Sequence, residues 1–473
     1  MVNLYLECCL VWGIIIMTTK FNTEPLSFKE KVGYGMGDMA SNFYMGFFAL
    51  FLLYYYTDVY GISAAAAATM LLVTKVIDAV SDPAMGLLAD RTTSKWGKYR
   101  PYLLWMAIPY ALLGYLLFLG PEFGSTGKLI FAYVSYSLVM LAYTAINVPY
   151  SGLMAVIHPE SGERTKAAQF RFIFASIGSL VVGASAKPLV EFLGAGDELL
   201  GFRLTIILFA VLSIAVFWFT FAVTRERVMP KKHEASIKDD LSTLLKNKSW
   251  LILVGTGVFV VVGLVARFAS IAYYTKYYMN DDGSNVFLWM DQTTFIISCG
   301  LLGQLFGALI TPMLVARFEK HKLMFVTNFS HAILLFFGFT ISPDNVALTT
   351  IVHTLGIITF GIAITLLFTM YTDCVEYGEW KTGNNSAGLT VSASLFSLKF
   401  GSAVGGALPG FILAAFGFVA NQTQTPESIE GIRYMFNILP AVFFLLGAVL
   451  ILFYKVDRAQ LTQIECDLAE RRS

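Results

Sequence analysis

The sequence is poor in charged residues. Asp, Glu, Lys and Arg make up 14% of the 473 residues and hydrophobic residues make up 56%, whereas ordinary soluble domains carry about 25% charged residues. This composition argues against a single soluble globule. The 33 basic and 32 acidic residues leave a formal net charge of +1. So small a charge does not attract a polyanion, and no nucleic-acid partner is expected.

The sequence also lacks the usual signatures of catalysis and metal binding. The five cysteines fit neither a zinc-binding nor a disulfide pattern; they are Cys8, Cys9, Cys299, Cys374 and Cys466. The chain contains no nucleophile–base pair, phosphate-binding loop or metal-ligand motif. His331 and His353 stand alone and are expected to be packed, neutral side chains. We therefore expect neither an enzyme nor a cofactor.

Long apolar stretches dominate the sequence instead. A transmembrane helix needs about 20 mostly apolar residues to cross the hydrocarbon core, which is roughly 30 Å thick. Twelve stretches meet this requirement: 33–58, 63–89, 101–121, 129–157, 168–192, 201–224, 250–275, 286–316, 323–342, 346–372, 387–418 and 431–454. They predict an all-α membrane protein with twelve transmembrane helices.

The basic residues between these stretches predict the orientation of the chain. With the N-terminus in the cytoplasm, the inside segments hold 24 Lys and Arg residues and the outside segments hold four, which are Lys128, Arg203, Lys276 and Arg433. Lys and Arg accumulate in the cytoplasmic loops of membrane proteins. We therefore expect a multi-pass protein of the cell inner membrane with both termini in the cytoplasm.

One long polar connection, residues 225–249, divides the spans into two sets of six. It separates an N-terminal half, 29–224, from a C-terminal half, 250–456, which is followed by a cytoplasmic tail, 457–473. Major facilitator transporters are organised in this way, with a central site between two halves that rock against each other. The sequence therefore predicts the major facilitator fold.

The N-terminal segment, residues 1–28, is separate from these halves. The apolar run within residues 1–20 is too short to span a membrane, and it has neither a cationic start nor a cleavage site. We interpret it as a start codon assigned too early, with translation beginning at Met17. The alternative is a loose segment at the membrane interface.

Charged residues within the second span are the clearest functional signal. Lys75, Asp78, Ser81 and Asp82 occur in TKVIDAVSDPAMG, where the helical period turns Asp78 and Asp82 to one face with Lys75 one turn below. Two carboxylates and one ammonium leave an excess negative charge in a medium of low dielectric constant, which uptake of one cation would relieve. H⁺ and Na⁺ are the candidates, and Ser81 and Thr144 supply hydroxyl oxygens. The alternative is an internally satisfied ion network that binds nothing.

Further polar residues in the spans predict a sugar site. Sugars are held by polar side chains that form paired hydrogen bonds and by aromatic faces that cover the apolar side of the ring. The candidate ligands are Asn42, Asn147, Arg171 and Lys399, with Tyr143 and Tyr150 among the possible aromatic walls. Arg267 and Asp291 are interpreted as a possible ion pair, and Asp38 as a structural or gating charge near the cytoplasmic end of the first span.

Five segments share the sequence patterns of one transporter family. They are YGMGDMASNF, YYYTDVYG, DAVSDPAMGLLADRTTSKWGKYRP, YTAINVPY and DCVEYGEWKTG. In these segments the chain resembles the glycoside-pentoside-hexuronide:cation symporters, a family that includes the melibiose permease. The likeness covers about residues 28–456, and the second-span block is its most specific part. The resemblance implies cation-driven sugar uptake.

The resemblance also implies roles for single residues. Asp78 and Asp82 match the paired aspartates of the family's cation site, and Thr144 matches a threonine at that site. Arg171 and Lys399 match basic residues near the sugar site and its coupling network. Acidic residues thought to pair across the two halves in the outward-facing state correspond to Asp373, Glu376 and Glu379.

Three positions depart from the melibiose permease. That protein has an asparagine that helps to select Na⁺ at the position of Ser81, so the serine favours H⁺. It has aspartates, which grip the galactosyl hydroxyls, at the positions of Asn42 and Asn147. Because two acids are lost while Arg171 and Lys399 remain, a neutral galactoside is less expected than a xyloside, another glycoside or an anionic hexuronide.

These observations predict a symporter that alternates between outward-open and inward-open states and works as a monomer in the lipid bilayer. Lys75 is expected to contribute to coupling, and the cytoplasmic loop is expected to latch the halves through Asp90, Arg91, Lys95 and Arg100. Two alternatives remain: a transporter of an amphiphilic or lipid-like solute, and a sugar sensor without transport activity.

Overall fold

The computed structural model describes residues 24–227, 244–382 and 387–472, and almost all of them lie in helices. The helices are α1 (Phe28–Tyr54, continued by a π-helical turn, Tyr55–Val59), α2 (Ala64–Arg91), α3 (Arg100–Trp105 and Ala107–Leu117), α4 (Ser125–Val156), α5 (Ser161–Gly194), α6 (Glu198–Val223), α7 (Lys248–Tyr273, continued by a π-helical turn, Tyr274–Tyr278), α8 (Gln292–Arg317), α9 (Lys320–Gly338), α10 (Val346–Thr382), α11 (Ala387–Ala415), α12 (Pro426–Arg433, Tyr434–Ile438 and Leu439–Ile451) and α13 (Arg458–Arg472). Met17 and residues 228–243 of the middle connection lie outside the described residues. The predicted start and the exact limits of the two halves therefore stay predictions.

Twelve helices, α1 to α12, follow the twelve predicted spans in order. Of the helices in the described ranges, nine are long and apolar enough to cross a membrane. The other three are α2, which carries several charges, α3, which is interrupted at Met106, and α9, which is less apolar because it begins with Lys320, His321 and Lys322. At 1.5 Å per residue, even α9 reaches about 28 Å, close to the thickness of the hydrocarbon core. The all-α membrane fold is confirmed, and nine of the twelve spans are confirmed by length and composition.

Short polar residues fix where the helices begin. The Ser27 hydroxyl accepts a hydrogen bond from the Glu30 backbone N–H (3.2 Å), and the Glu30 carboxylate accepts one from the Ser27 N–H (3.0 Å). This reciprocal arrangement satisfies backbone groups that the first turn of α1 leaves free. Asn247 and Asp291 cap α7 and α8 in a similar way.

The helices assemble as two groups of six, α1–α6 and α7–α12, here called the N-half and the C-half. Between them α1 packs on α7, α2 on α11 and α5 on α8. Some of these contacts leave no room for a side chain, since a Cβ atom on Gly410 of α11 would lie 2.7 Å from the Ala64 carbonyl oxygen of α2. We call the side where α1 begins and α12 ends the basic side, and the other the opposite side. The contact between Gly410 and Ala64 lies on the opposite side.

The predicted pairing of Arg267 with Asp291 is wrong. Arg267 is buried in α7, where it donates to His353 Nδ1 (3.1 Å) and to the Phe436 carbonyl oxygen (2.7 Å). That carbonyl lacks its usual helical partner, because Pro440 four residues later has no N–H. Asp291 begins α8 on the opposite side, whereas Arg267 lies eleven residues, or about 16 Å, from the end of α7 on that side. The two side chains are therefore at different depths. His331 and His353 are buried, as expected for packed side chains.

Cysteine labelling tests the predicted orientation. Thr93 on the basic side and Glu122 on the opposite side are both exposed. In a variant with the native cysteines replaced by serine, we expect Glu122→Cys to react with a membrane-impermeant maleimide in intact spheroplasts. Thr93→Cys should react only after the membrane is permeabilised. The reverse pattern would contradict a cytoplasmic N-terminus.

Candidate functional site

Two carboxylates in the middle of α2 form the centre of the candidate site. Asp78 lies 3.2 Å from the Lys75 ammonium. Asp82, one turn further along, accepts a hydrogen bond of 3.0 Å from the Thr144 hydroxyl of α4 and pairs with the Lys399 ammonium of α11. Asp82 thus joins three helices and both halves of the molecule.

The prediction of an excess negative charge at this site is wrong. Two aspartates face two lysines, because Lys399 supplies a second ammonium beside the Asp82 carboxylate. Lys399 was predicted as a sugar ligand, and its partner lies 317 residues away in the sequence. The sequence of α2 alone therefore predicts one cation too few at this site. In this conformation the cluster is formally neutral.

One carboxylate oxygen of this cluster has no hydrogen-bond partner within the described part of the chain. It is Asp78 Oδ1, and the Asp78 residue is only 5% exposed. The Ser81 hydroxyl, predicted as a cation ligand, donates to the backbone carbonyl of Asp78 at 3.3 Å. A buried acceptor without a donor is costly, which makes Asp78 Oδ1 a ready acceptor for a proton or a cation.

A second charge cluster surrounds Arg171 of α5. Arg171 donates to both carboxylate oxygens of Asp38 on α1 (2.7 and 3.2 Å) and to the Ser151 hydroxyl (3.3 Å). Its guanidinium also lies 4.8 Å from the centre of the Tyr150 ring, an arrangement favourable for a cation–π interaction. Arg171, predicted as a sugar ligand, is therefore neutralised by Asp38 in this conformation.

The predicted sugar ligands lie around these two clusters. Asn42 uses both ends of its amide, donating to the Asp38 carbonyl (2.8 Å) and accepting from the Ser179 hydroxyl (3.2 Å). Asn147 and Tyr143 are half-buried on α4. On the same helix Thr144 contacts Asp82 and Ser151 contacts Arg171, seven residues or about 10 Å apart. Asn147 therefore lies between the two clusters along one stripe of α4.

Two of the residues predicted to latch the basic side, Asp90 and Arg100, have partners in their own half. Asp90 accepts a hydrogen bond of 2.6 Å from the Tyr99 hydroxyl, and Arg91 is exposed. Arg100 donates to backbone carbonyls of Trp96 and Phe221 in the N-half. The expectation that Asp90 and Arg100 pair with the C-half is not met in this conformation.

The acidic motif of α10 lies at its basic-side end. Asp373 binds Lys320 of α9 through two hydrogen bonds of 2.7 and 2.9 Å, which is again a contact within one half. Glu376 and Glu379 are half-buried further along α10. Their predicted role in joining the halves in an outward-facing state stays a prediction.

Sequence reasoning missed the polar contacts that join the halves on the opposite side. Lys276 of α7 lies 3.0 Å from Asp58 of α1, and Lys187 of α5 lies 3.0 Å from Asp281 after α7. The sequence predicts Lys276 only as one of the four basic residues in the outside segments. The sequence signal that could have indicated the first contact was an acidic residue at the end of α1 and a basic residue at the end of α7.

Comparison with known proteins identifies the family. A family model described as MFS/sugar transport protein matches residues 33–458. The chain belongs to this family. Its predicted membership of the glycoside-pentoside-hexuronide:cation symporters is confirmed by relatives that match over nearly their whole length.

Three relatives illustrate this membership. The chain is 33% identical to a putative glycoside/cation symporter of Escherichia coli, over 95% of this chain and 96% of the relative. It is 33% identical to an isoprimeverose transporter of Lactiplantibacillus pentosus, over 93% and 90%. It is 32% identical to a glucuronide carrier protein homolog of Escherichia coli, over 95% and 97%.

Solved structures support the same fold. A bacterial homologue of the human lysosomal transporter Spinster, in an inward-facing and unoccupied conformation, superposes with a TM-score of 0.63 at 13% identity, over 93% of this chain and all of the other. The nucleoside transporter NupG gives a TM-score of 0.59 at 14% identity, over 91% and 100%. Both are transporters with the major facilitator fold, which this chain shares.

The pairing of Asp38 with Arg171 predicts the effect of breaking it. Asp38→Ala leaves a largely buried guanidinium without its carboxylate, so we expect a loss of about 1–3 kcal/mol in stability, measured as unfolding in detergent. Asp344→Ala, which removes an exposed carboxylate from a loop, should have almost no effect. Asp38→Ala combined with Arg171→Gln should recover part of the loss; equal loss in both would argue against the pair.

Proposed function

We propose that the chain is a secondary active transporter that couples the uptake of a glycoside, pentoside or hexuronide to the entry of a cation. The observation that carries this proposal is Asp82, a membrane-embedded carboxylate that contacts Thr144 in the N-half and Lys399 in the C-half. An ion that binds there acts directly on a contact between the two halves. We propose a transporter and not an enzyme.

The geometry suggests how the ion controls the conformation. Before the ion binds, Lys399 neutralises Asp82 and holds α11 against α2. A cation that neutralises the aspartates weakens the hold of Lys399, and the halves become free to rearrange. Sugar and cation then favour the same rearrangement, and each raises the affinity for the other because coupling is reciprocal.

The oxygen atoms around the aspartates favour H⁺ over Na⁺. A hard metal cation requires several oxygen ligands arranged around it, but the Ser81 hydroxyl is bonded to the backbone and Asp82 is held by Thr144 and Lys399. A proton needs one acceptor, and Asp78 Oδ1 has no other hydrogen-bond partner in the described residues. Once Asp78 is protonated, the Lys75 ammonium competes with Lys399 for the Asp82 carboxylate. We therefore propose H⁺ as the coupling ion.

The substrate site is proposed along the stripe of α4 between the two charge clusters. Asn147 offers an amide donor and acceptor there, with the half-buried Tyr143 one turn away on the same helix. Tyr150, also predicted as an aromatic wall, is completely buried and donates to the Tyr34 carbonyl oxygen. The relatives named as glycoside, isoprimeverose and glucuronide transporters support a sugar as the substrate. The protein is proposed to work as a monomer in the cell inner membrane with both termini in the cytoplasm. In that orientation the closed, opposite side faces outward.

Uptake into proteoliposomes tests the substrate and the ion together. The panel consists of a labelled xyloside, a β-glucuronide and an α-galactoside, each with an imposed proton gradient or sodium gradient. We expect the xyloside or the glucuronide to accumulate with the proton gradient and not with the sodium gradient. Accumulation driven only by sodium would contradict H⁺ coupling, and no accumulation of any sugar would contradict the proposed function.

Substitution of Asp82 tests the coupling site. Asp82→Asn removes the carboxylate through which the cation acts on Lys399, so we expect gradient-driven accumulation to fall at least tenfold while some sugar exchange across the membrane remains. Asp344→Asn, which removes an exposed carboxylate from the loop between α9 and α10, should accumulate sugar normally. Undiminished uphill uptake by Asp82→Asn would rule out Asp82 as the coupling residue.

A further inference from the structure

Two polar networks join the halves on the opposite side, and neither belongs to the central site. The first surrounds Asp58, in the π-helical turn at the end of α1. Its carboxylate binds the Lys276 ammonium (3.0 Å) and the Tyr277 hydroxyl, both in the π-helical turn of α7. Asn421, in the loop after α11, donates to the Asp58 carbonyl oxygen (2.6 Å) and accepts from Lys276 (2.9 Å).

The hydrogen bonds next to Asp58 also cross between the halves. The Thr57 hydroxyl lies 2.7 Å from the Tyr273 hydroxyl, and Lys276 donates to the Tyr54 hydroxyl (2.8 Å). The side chain of Asp58 is completely buried. Apart from the neighbouring Thr57 hydroxyl, the described partners of the Asp58 carboxylate all come from the C-half.

The second network surrounds Lys187 near the end of α5. Its ammonium binds the Asp281 carboxylate (3.0 Å), the Asp291 carboxylate and the Thr293 hydroxyl (3.3 Å), all in the C-half. Burial alone would raise the pKa of Asp281, but the Lys187 ammonium and the hydroxyl and N–H of Thr293 bring it below its ordinary value. The carboxylate therefore stays ionised, and the ion pair persists at neutral pH.

We infer that these two networks form a latch, in which Asp58–Lys276 and Lys187–Asp281 keep the opposite side closed and govern how often it opens. The inference rests on the alternating access of the proposed function, but not on the identity of the sugar or the ion. When this side opens, the contacts of these two networks that cross between the halves are lost. Asp58 then keeps only Thr57, whereas Asp281 retains Thr293 and Asp291 retains its place at the N-terminus of α8.

The cost of opening therefore falls mainly on Asp58 and Lys276. A buried carboxylate that loses its cation must be solvated again before the separated state is stable. Lys276 also leaves the ring of Tyr54 in the N-half, whose centre lies 4.8 Å from its ammonium. We expect removal of either charge to shift the equilibrium toward the open state.

A cavity between the networks offers a place for a reporter group. It has a volume of about 260 Å³ and is lined by both halves, with Lys187 and Lys276 at its wall. Ala186 lines the same cavity and is completely buried. A cysteine in place of Ala186 is shielded while the latch is closed and becomes reachable when the halves part.

The experiment measures the rate at which Ala186→Cys reacts with a maleimide, in full-length protein whose native cysteines are replaced by serine. We expect Lys276→Gln and Asp58→Asn each to raise this rate by about fivefold, the shift that the loss of one modest ion pair produces. Since both act on one contact, the double variant should react about as fast as the faster single variant.

The matched control is Arg433→Gln. Arg433 is another basic residue on the opposite side, but its partners, Glu430 and the Phe339 carbonyl, belong to its own half. Its substitution should leave the labelling rate unchanged. Equal rates in the control, the Asp58 variant and the Lys276 variant would overturn the latch. Because labelling needs neither sugar nor gradient, a failed uptake assay with accelerated labelling would reject the proposed substrate and retain the latch.

Discussion

The cost of holding a charge in a medium of low dielectric constant governs the interior of this protein. A charged side chain in the hydrocarbon region costs several kcal/mol unless a partner compensates it. The charged side chains of the candidate site obey this constraint in pairs: Asp78 with Lys75, Asp82 with Lys399, and Asp38 with Arg171. One of the three pairs spans the two halves. In the proposed function, the same requirement makes the contact between the halves at Asp82 sensitive to an ion.

Much of the fold and part of the site were predictable from the sequence. Length and hydropathy identify apolar spans directly, because a helix must cover a membrane of known thickness. The aspartates of α2 were found because i and i+4 residues share a helix face. Their partners were not all found. Lys399 lies 317 residues from Asp82, and Arg171 lies 133 residues from Asp38. Pairings between residues so far apart in the sequence depend on how the helices assemble. The periodicity within a single helix carries no information about that assembly.

The predicted substrate class depended on the same long-range ion pairs, which the sequence does not reveal. Counting Arg171 and Lys399 as free cations made a neutral galactoside less expected than a xyloside, another glycoside or an anionic hexuronide. The structure gives each of these cations a carboxylate, so the charge argument no longer ranks these sugars. The likeness to carriers named for glycosides, isoprimeverose and a glucuronide leaves both classes represented in the family. At the proposed site, selectivity would then depend on hydrogen-bond geometry along α4.

The neutral arrangement of two aspartates and two lysines bears on the electrical behaviour of the carrier. A charge displaced across the membrane gains or loses about 2.3 kcal/mol per 100 mV. An empty carrier whose mobile centre has no net charge carries nothing through the field when it reorients. Membrane voltage would then leave the return of the empty protein almost unaffected and act on the step that carries the ion. In the proposed function, Lys399 is thus a counter-ion that moves with the protein, and electrogenic movement is confined to the loaded half of the cycle.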